Sequence, residues 1–149
     1  MKIEAIGKED LEAIRTLWEG LNAHHLARST YFKDHYSTFT FERRMEVLVR
    51  RDLLFAYIAQ DDDRTIGYCI ATVDGSAGEV DSLFVDAACR GRGIGEALMS
   101  RALERLEAQN CETVRVSIAE GNEDALGFYR RFGFAERLTV MQRRQGKVW

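Results

Sequence analysis

The sequence predicts an α/β fold of the α+β kind, a mixed central sheet with helices on both faces. Two observations predict it. The spacing of apolar residues switches between periods of two and 3.6, giving the order strand, two helices, three-strand meander, helix, strand, helix, strand. No repeat, low-complexity stretch or change of composition interrupts that order, so residues 1–149 read as one domain. A chain of this length buries about 70% of its unfolded surface without staples.

Each element has its own signal. Residues 3–6 read as a short opening strand. Over residues 9–27, Leu11, Ile14, Leu17, Trp18 and Leu21 recur at helical spacing. Residues 28–39, rich in Tyr, Phe and His, read as a connecting loop with short helical turns. Phe41, Met45, Leu48 and Val49 mark a second helix that ends near Asp52. Residues 53–60 and 65–73 flank the polar turn Asp61-Asp62-Asp63-Arg64 and form a hairpin, and 79–85 complete the meander after a Gly-rich turn. Ile94, Leu98, Met99, Ala102, Leu103 and Leu106 lie on one stripe of a helix over 94–109. A strand over 113–118 follows, then a short helix over 123–131 stopped by Gly133, then a last strand over 134–142.

Composition excludes several classes of function. The net charge of -3, from 21 basic and 24 acidic residues, offers no general attraction to nucleic acid or to an anionic membrane. Residues 1–5 lack the apolar core of a signal peptide, and the longest wholly apolar run, 53–59, is far too short to span a bilayer. Cys69, Cys89 and Cys111 are odd in number and widely separated, matching neither a disulfide framework nor a zinc site. A reducing, cytoplasmic location and no bound metal are expected.

The most informative stretch is Arg90-Gly91-Arg92-Gly93-Ile94-Gly95, set between the strand over 79–85 and the helix over 94–109. Glycines at alternate positions let the backbone approach a ligand, and the first N–H groups of the helix face the same spot. Such a site holds phosphate, here a pyrophosphate. The P-loop pattern fails because Gly-Lys-Ser/Thr is absent, and the dinucleotide fingerprint fails on glycine spacing and on its late position.

Arg90, Gly93 and Gly95 match the Arg/Gln-x-x-Gly-x-Gly/Ala signature of the GNAT (GCN5-related) N-acetyltransferase superfamily. A second segment, Asn122-Glu123-Asp124-Ala125-Leu126-Gly127-Phe128-Tyr129, resembles that family's Asn-x-x-Ala-x-x-Phe/Leu-Tyr motif. The order of elements is similar over nearly the whole chain. The chain departs at Ala87, where many members have proline.

The resemblance implies acetyl-CoA, or another short acyl-CoA, as acyl donor. Its pantetheine arm would pair with the main chain of Leu83, Phe84 and Val85, in the manner of an added strand. Its pyrophosphate would accept N–H bonds from the run Gly91, Arg92, Gly93, Ile94, Gly95 and Glu96. The side chains of Arg90 and Arg92 either add charge toward the phosphates or are solvated surface arginines. Asn122 either contacts the donor or caps the following helix.

Tyr129 would be the general acid toward the departing sulfur, against a plain reading as a packed aromatic beside Phe128. A general base for the amine is expected, either Asp81 or water. Alternation along the strand places Asp81 on one face with Leu83 and Val85, and Glu79 is a weaker second choice on that face. Main-chain N–H groups near 83–85 would stabilise the oxyanion.

The fifth strand carries Ser117 where enzymes of the family acting on protein N-termini often have Glu, which favours a small-molecule amine as acceptor. The alternatives are a protein or peptide N-acetyltransferase and a non-catalytic acyl-CoA-binding protein. His24, His25 and the run Tyr31-Phe32-Lys33-Asp34-His35-Tyr36 either contact a cationic amine or are ordinary surface and helix-end residues. Cys89 reads as a small loop residue, not a nucleophile. Members of the family often pair as homodimers, and no segment of this sequence marks an interface.

Overall fold

The computed structural model describes residues 1–144; residues 145–149, the end of the span read as one domain, lie outside them. Five strands form one sheet in chain order: β1 (Lys2–Ile6), β2 (Leu53–Asp61), β3 (Arg64–Asp74), β4 (Ala77–Val85) and β5 (Thr113–Val116). β1 to β4 pair antiparallel, and β4 pairs β5 in parallel. Tight turns join β2 to β3 and β3 to β4, whereas a parallel neighbour needs a crossover, here α4 (Ile94–Ala108).

The helix expected over 9–27 comes in two pieces, a 3-10 segment (Lys8–Ile14) and α1 (Arg15–Arg28). Leu11, Ile14 and Leu17 recur every three residues, which is the period of the tighter helix, and all three are buried. The 28–39 connection contains α2 (Lys33–Thr38). α3 (Phe41–Leu48) begins where the Thr40 hydroxyl accepts the Arg43 N–H at 3.2 Å. The short helix after β5 starts as a 3-10 turn (Glu123–Ala125) and continues as α5 (Leu126–Arg130).

Apolar side chains of the sheet divide between two cores. Cys69, Ala71, Val73 and Val80 face the α4 stripe of Ile94, Leu98, Met99, Ala102 and Leu106. Ala56, Ile58, Tyr68 and Ile70 face α1 and α3, through Leu17, Trp18, Met45 and Leu48. Residues 68–71 of β3 have no exposed surface, so this central strand is covered on both sides.

The last strand expected, over 134–142, does not form. Its residues join no ladder, and Leu138, Val140 and Met141 are 70%, 87% and 92% exposed. Strand-like alternation specifies a face only once a neighbour supplies hydrogen bonds, and among the described residues β5 pairs with β4 alone. β5 itself stops at Val116, two residues short of the span expected.

Candidate active site

The site begins where two parallel strands part. β4 and β5 pair only over Ala77–Val80 and Thr113–Val116, so among the described residues the edge of β4 that faces β5 has no strand beside it from Asp81 to Val85. Beyond Val85 the chain makes a 3-10 turn (Ala87–Cys89), capped by the Asp86 carboxylate accepting the Ala88 N–H, and then enters the glycine run. Gly93 is the N-cap of α4 at φ +76°, a left-handed conformation that suits glycine, and it supplies no side-chain cap. A Cβ at Gly93 would meet nothing within 4 Å, so this turn borders open space. The first N–H groups of α4 therefore lie uncapped at the positive end of a four-turn helix, an arrangement that fits a pyrophosphate.

These elements enclose a cleft of about 510 Å³. Leu83, Phe84 and Val85 of β4 line it, together with Arg90, Gly91, Gly93, Ile94, Gly95 and Glu96. Asn122 and Tyr129 line it from the segment after β5. Val85 and Tyr129, 44 positions apart in sequence, thus line one cleft, brought together by the crossover through α4 and β5.

Two arginines differ in their placement. Arg90 lies along the cleft, its Nε donating to the Val85 carbonyl at 3.1 Å and its guanidinium 5.1 Å from the Phe84 ring centre. The Arg92 side chain does not line the cleft. It pairs at 3.2 Å with Asp61, on the side of the acidic end of the β2–β3 hairpin.

Asn122 makes no side-chain cap; its Oδ1 lies 3.2 Å from His24 Nε2. Glu96 pairs with Arg131 at 2.8 Å, and Arg131 also borders the cleft.

Tyr129 packs edge-on against Phe128 and Phe134, with ring centres 5.2 and 6.0 Å away. Burial, reinforced by the neighbouring Cys69, pushes its phenol up to about 12, so it stays protonated through the neutral range. Burial likewise pushes the Cys69 thiol up to about 12, with Asp81 adding to the rise. Cys69 thus lies near both Tyr129 and Asp81. Cys89 is buried in the α4-face core as a small packing residue.

Asp81 does not share a face with Leu83 and Val85. Ile70 opposes Ser82 and Ala71 opposes Val80, which leaves Asp81 as the extra residue of a β-bulge. The bulge breaks the alternation. Leu83 and Val85 pack in the α4-face core, whereas Asp81 Oδ2 accepts a 2.7 Å bond from Thr72 Oγ1, on the side of Ile70 and α3. Arg44 of α3 donates to the Asp81 carbonyl at 3.1 Å. Burial raises the Asp81 carboxyl to about 6 against the opposing bond from Thr72, and its Oδ1 is buried without a partner. Glu79, opposite Thr72 and so on Asp81's face, is held by Arg115 at 3.2 Å and Arg51 at 3.9 Å. Neither carboxylate lines the cleft itself. Tyr129 and Asp81 flank the parted strands from opposite faces of the sheet.

Leu21, His24 and Arg28 of α1, Phe128 of α5, and Cys89, Asp124 and Ala125 also line the cleft. Sequence reasoning placed Phe128 in a motif, Leu21 on a helix stripe and Arg28 at the start of a connecting loop, and assigned none of them to the cleft. Nothing in residue type marks Leu21 and Arg28; only the docking of α1 onto β4 brings them in. Among the described residues, no helix is long and apolar enough to cross a membrane.

The sequence model of the acetyltransferase (GNAT) family matches residues 18–134. Solved structures share the fold at low identity. The BH1408 protein of Bacillus halodurans is 17% identical, with 96% of this chain and 98% of that one covered and a TM-score of 0.73. The aminoglycoside N-acetyltransferase AAC(6')-Iy, in complex with CoA, is 20% identical over 97% of this chain and 98% of its own, with a TM-score of 0.68. A ribosomal-protein-alanine N-acetyltransferase from Brucella melitensis biovar Abortus 2308 is 19% identical over 97% and 99%, with a TM-score of 0.67.

Proposed function

The chain belongs to the acetyltransferase (GNAT) family, and we propose that it moves an acetyl group from acetyl-CoA to the primary amine of a small molecule. Transfer is direct, in a complex holding both substrates. The observation that carries this reading is the unpaired edge of β4 over residues 81–85 running into the uncapped N-terminus of α4. A linear molecule with amides at one end and a pyrophosphate at the other matches that edge and that helix end in order. An aminoglycoside N-acetyltransferase of the same fold is complexed with CoA, which supports the donor. Three free cysteines fit a reducing, cytoplasmic setting.

In this reading the main chain of 83–85 positions the arm and its N–H groups stabilise negative charge on the acetyl oxygen. The amine nitrogen forms a bond to the acetyl carbon as the carbon–sulfur bond breaks. Asp81, directly or through a water, takes the proton the amine loses. Tyr129 gives its proton to the departing sulfur. The buried, unpartnered Oδ1 of Asp81 supports its role, because the carboxylate has an unsatisfied acceptor beside the parted strands.

Calorimetric titration of acetyl-CoA and CoA into the wild type and into Gly93→Glu tests the donor site. Binding in the wild type at about micromolar Kd, lost in the variant, is the expected result. Absence of binding to the wild type at millimolar donor would remove the reading.

A further inference from the structure

The face of α1 that lines the cleft makes a contact that no step above uses. Leu21, His24 and Arg28 recur at helical spacing, so one stripe of α1 looks onto the cleft. The stripe begins where the helix sits close on the sheet: a Cβ at Gly20 would lie 3.3 Å from the Phe84 ring. One turn further, His24 Nε2 lies 3.2 Å from Asn122 Oδ1. Another turn on, Arg28 Nε donates to the Gly121 carbonyl at 2.6 Å, and its guanidinium pairs with Asp124 at 2.8 Å. Two successive turns of α1 thus tie a helix resting on β4 to the segment that follows β5.

The bond between His24 and Asn122 runs one way. A carboxamide oxygen only accepts, so the His24 ring donates from Nε2, and in the neutral ring Nδ1 then carries no proton. Asn122 stands at the N-cap of the Glu123–Ala125 turn, where an asparagine oxygen ordinarily accepts an N–H of the first turn. It makes no such cap; its oxygen is taken instead by a residue 98 positions away. The amide is planar, so holding its oxygen also holds its nitrogen. Asn122 Nδ2 makes no hydrogen bond among the described residues and is not sealed inside the protein, and the residue lines the cleft. That nitrogen therefore offers the cleft two N–H groups.

We propose that His24 is a positioning residue for the acyl donor: it holds the Asn122 amide so that Nδ2 donates to a carbonyl oxygen of the CoA arm. This rests on the acetyl-CoA reading. Without the imidazole, the amide is free to turn over or to swing back and cap its own turn, and the arm's carbonyl then meets an oxygen in place of an N–H. The edge of β4 and the glycine run stay as they are. His24 thus acts on the donor only through Asn122.

The test titrates CoA, which needs no acceptor, into the wild type, His24→Phe, His24→Gln, Asn122→Ala and the double variant His24→Phe/Asn122→Ala, by calorimetry. His24→Phe and Asn122→Ala should each weaken CoA about 3–10-fold, the size of one neutral hydrogen bond. The double variant should bind no more weakly than Asn122→Ala, because the two changes remove the same contact. His24→Gln, whose amide nitrogen also donates, should stay within about twofold of the wild type. Nitrogen NMR of the wild type should find the proton of the neutral His24 ring on Nε2, a reading that needs no variant to fold. A ring protonated on Nδ1, an unchanged affinity in His24→Phe, or losses that add in the double variant would each overturn the proposal and leave the donor site standing. A wild type that does not bind CoA removes the acetyl-CoA reading and the proposal together.

Discussion

Thr72 Oγ1 donates a 2.7 Å hydrogen bond to Asp81 Oδ2 across the β3–β4 pair, at the one position where a bulge interrupts their register. Without the bulge, Asp81 would fall on the same face as Leu83 and Val85, toward α4. With it, a carboxylate is buried beside the point where β4 leaves β5, half satisfied and raised to about 6.

Asp81→Asn tests this carboxylate in two ways. If Asp81 is the base, kcat/KM of the wild type rises with pH to a plateau above about 6, and the variant loses that limb and at least ~10-fold in rate. Stability moves oppositely. A carboxyl raised from 3.8 to about 6 favours the fold when protonated, so its contribution is complete below 3.8 and is lost as pH climbs through 6. Asn carries no charge to bury, so the variant should gain up to about 3 kcal/mol relative to wild type between pH 4 and 7, read from denaturant melts.

Tyr129→Phe retains the ring contacts with Phe128 and Phe134 and removes only the hydroxyl. Turnover should fall by about 10²–10⁴, with acetyl-CoA affinity unchanged by calorimetry. Equal turnover in the variant would exclude Tyr129 as the acid.

His25 gives stability the opposite pH dependence. Burial, with His24 beside it, lowers its pKa from 6.5 to about 4, so the fold favours the neutral ring. Its contribution is complete above 6.5 and is lost as pH falls through 4. The wild type should therefore lose stability across that window, and His25→Phe, which keeps a ring against Tyr36, should lose less.

Leu98 and Leu106 anchor α4 to the sheet and have no exposed surface. Either one changed to Ala should cost about 2–5 kcal/mol in chemical denaturation, because the close-packed β3 wall opposite cannot collapse into the gap. Since α4 also presents the uncapped N–H groups, the same variants should weaken CoA binding in the folded state by less than they weaken folding.

Much of the architecture was legible because it is written in local periodicity. The stripe from Ile94 to Leu106 specifies a helix whatever surrounds it, and the alternation of Tyr68 and Ile70 against Cys69 and Ala71 follows from the pleat. The glycine run was legible because left-handed turns and helix N-termini need particular residues. Residues 134–142 misled for the complementary reason: alternation at Leu138 and Val140 is a preference, and a strand exists only against a partner.

The sequence by itself determined the order of elements as far as the short helix after β5, the turn at Gly93, and the glycine and β4 residues along the cleft. Tertiary structure alone decided that Asp81 turns toward Thr72, that Arg92 leaves the cleft for Asp61, and that Glu120 reaches Ser29. Those three outcomes depend on register and on contacts between segments 9, 31 and 91 residues apart. Periodicity records which face of its own element a residue prefers; it does not record which distant partner that face will meet, or where one added residue in a strand reverses it.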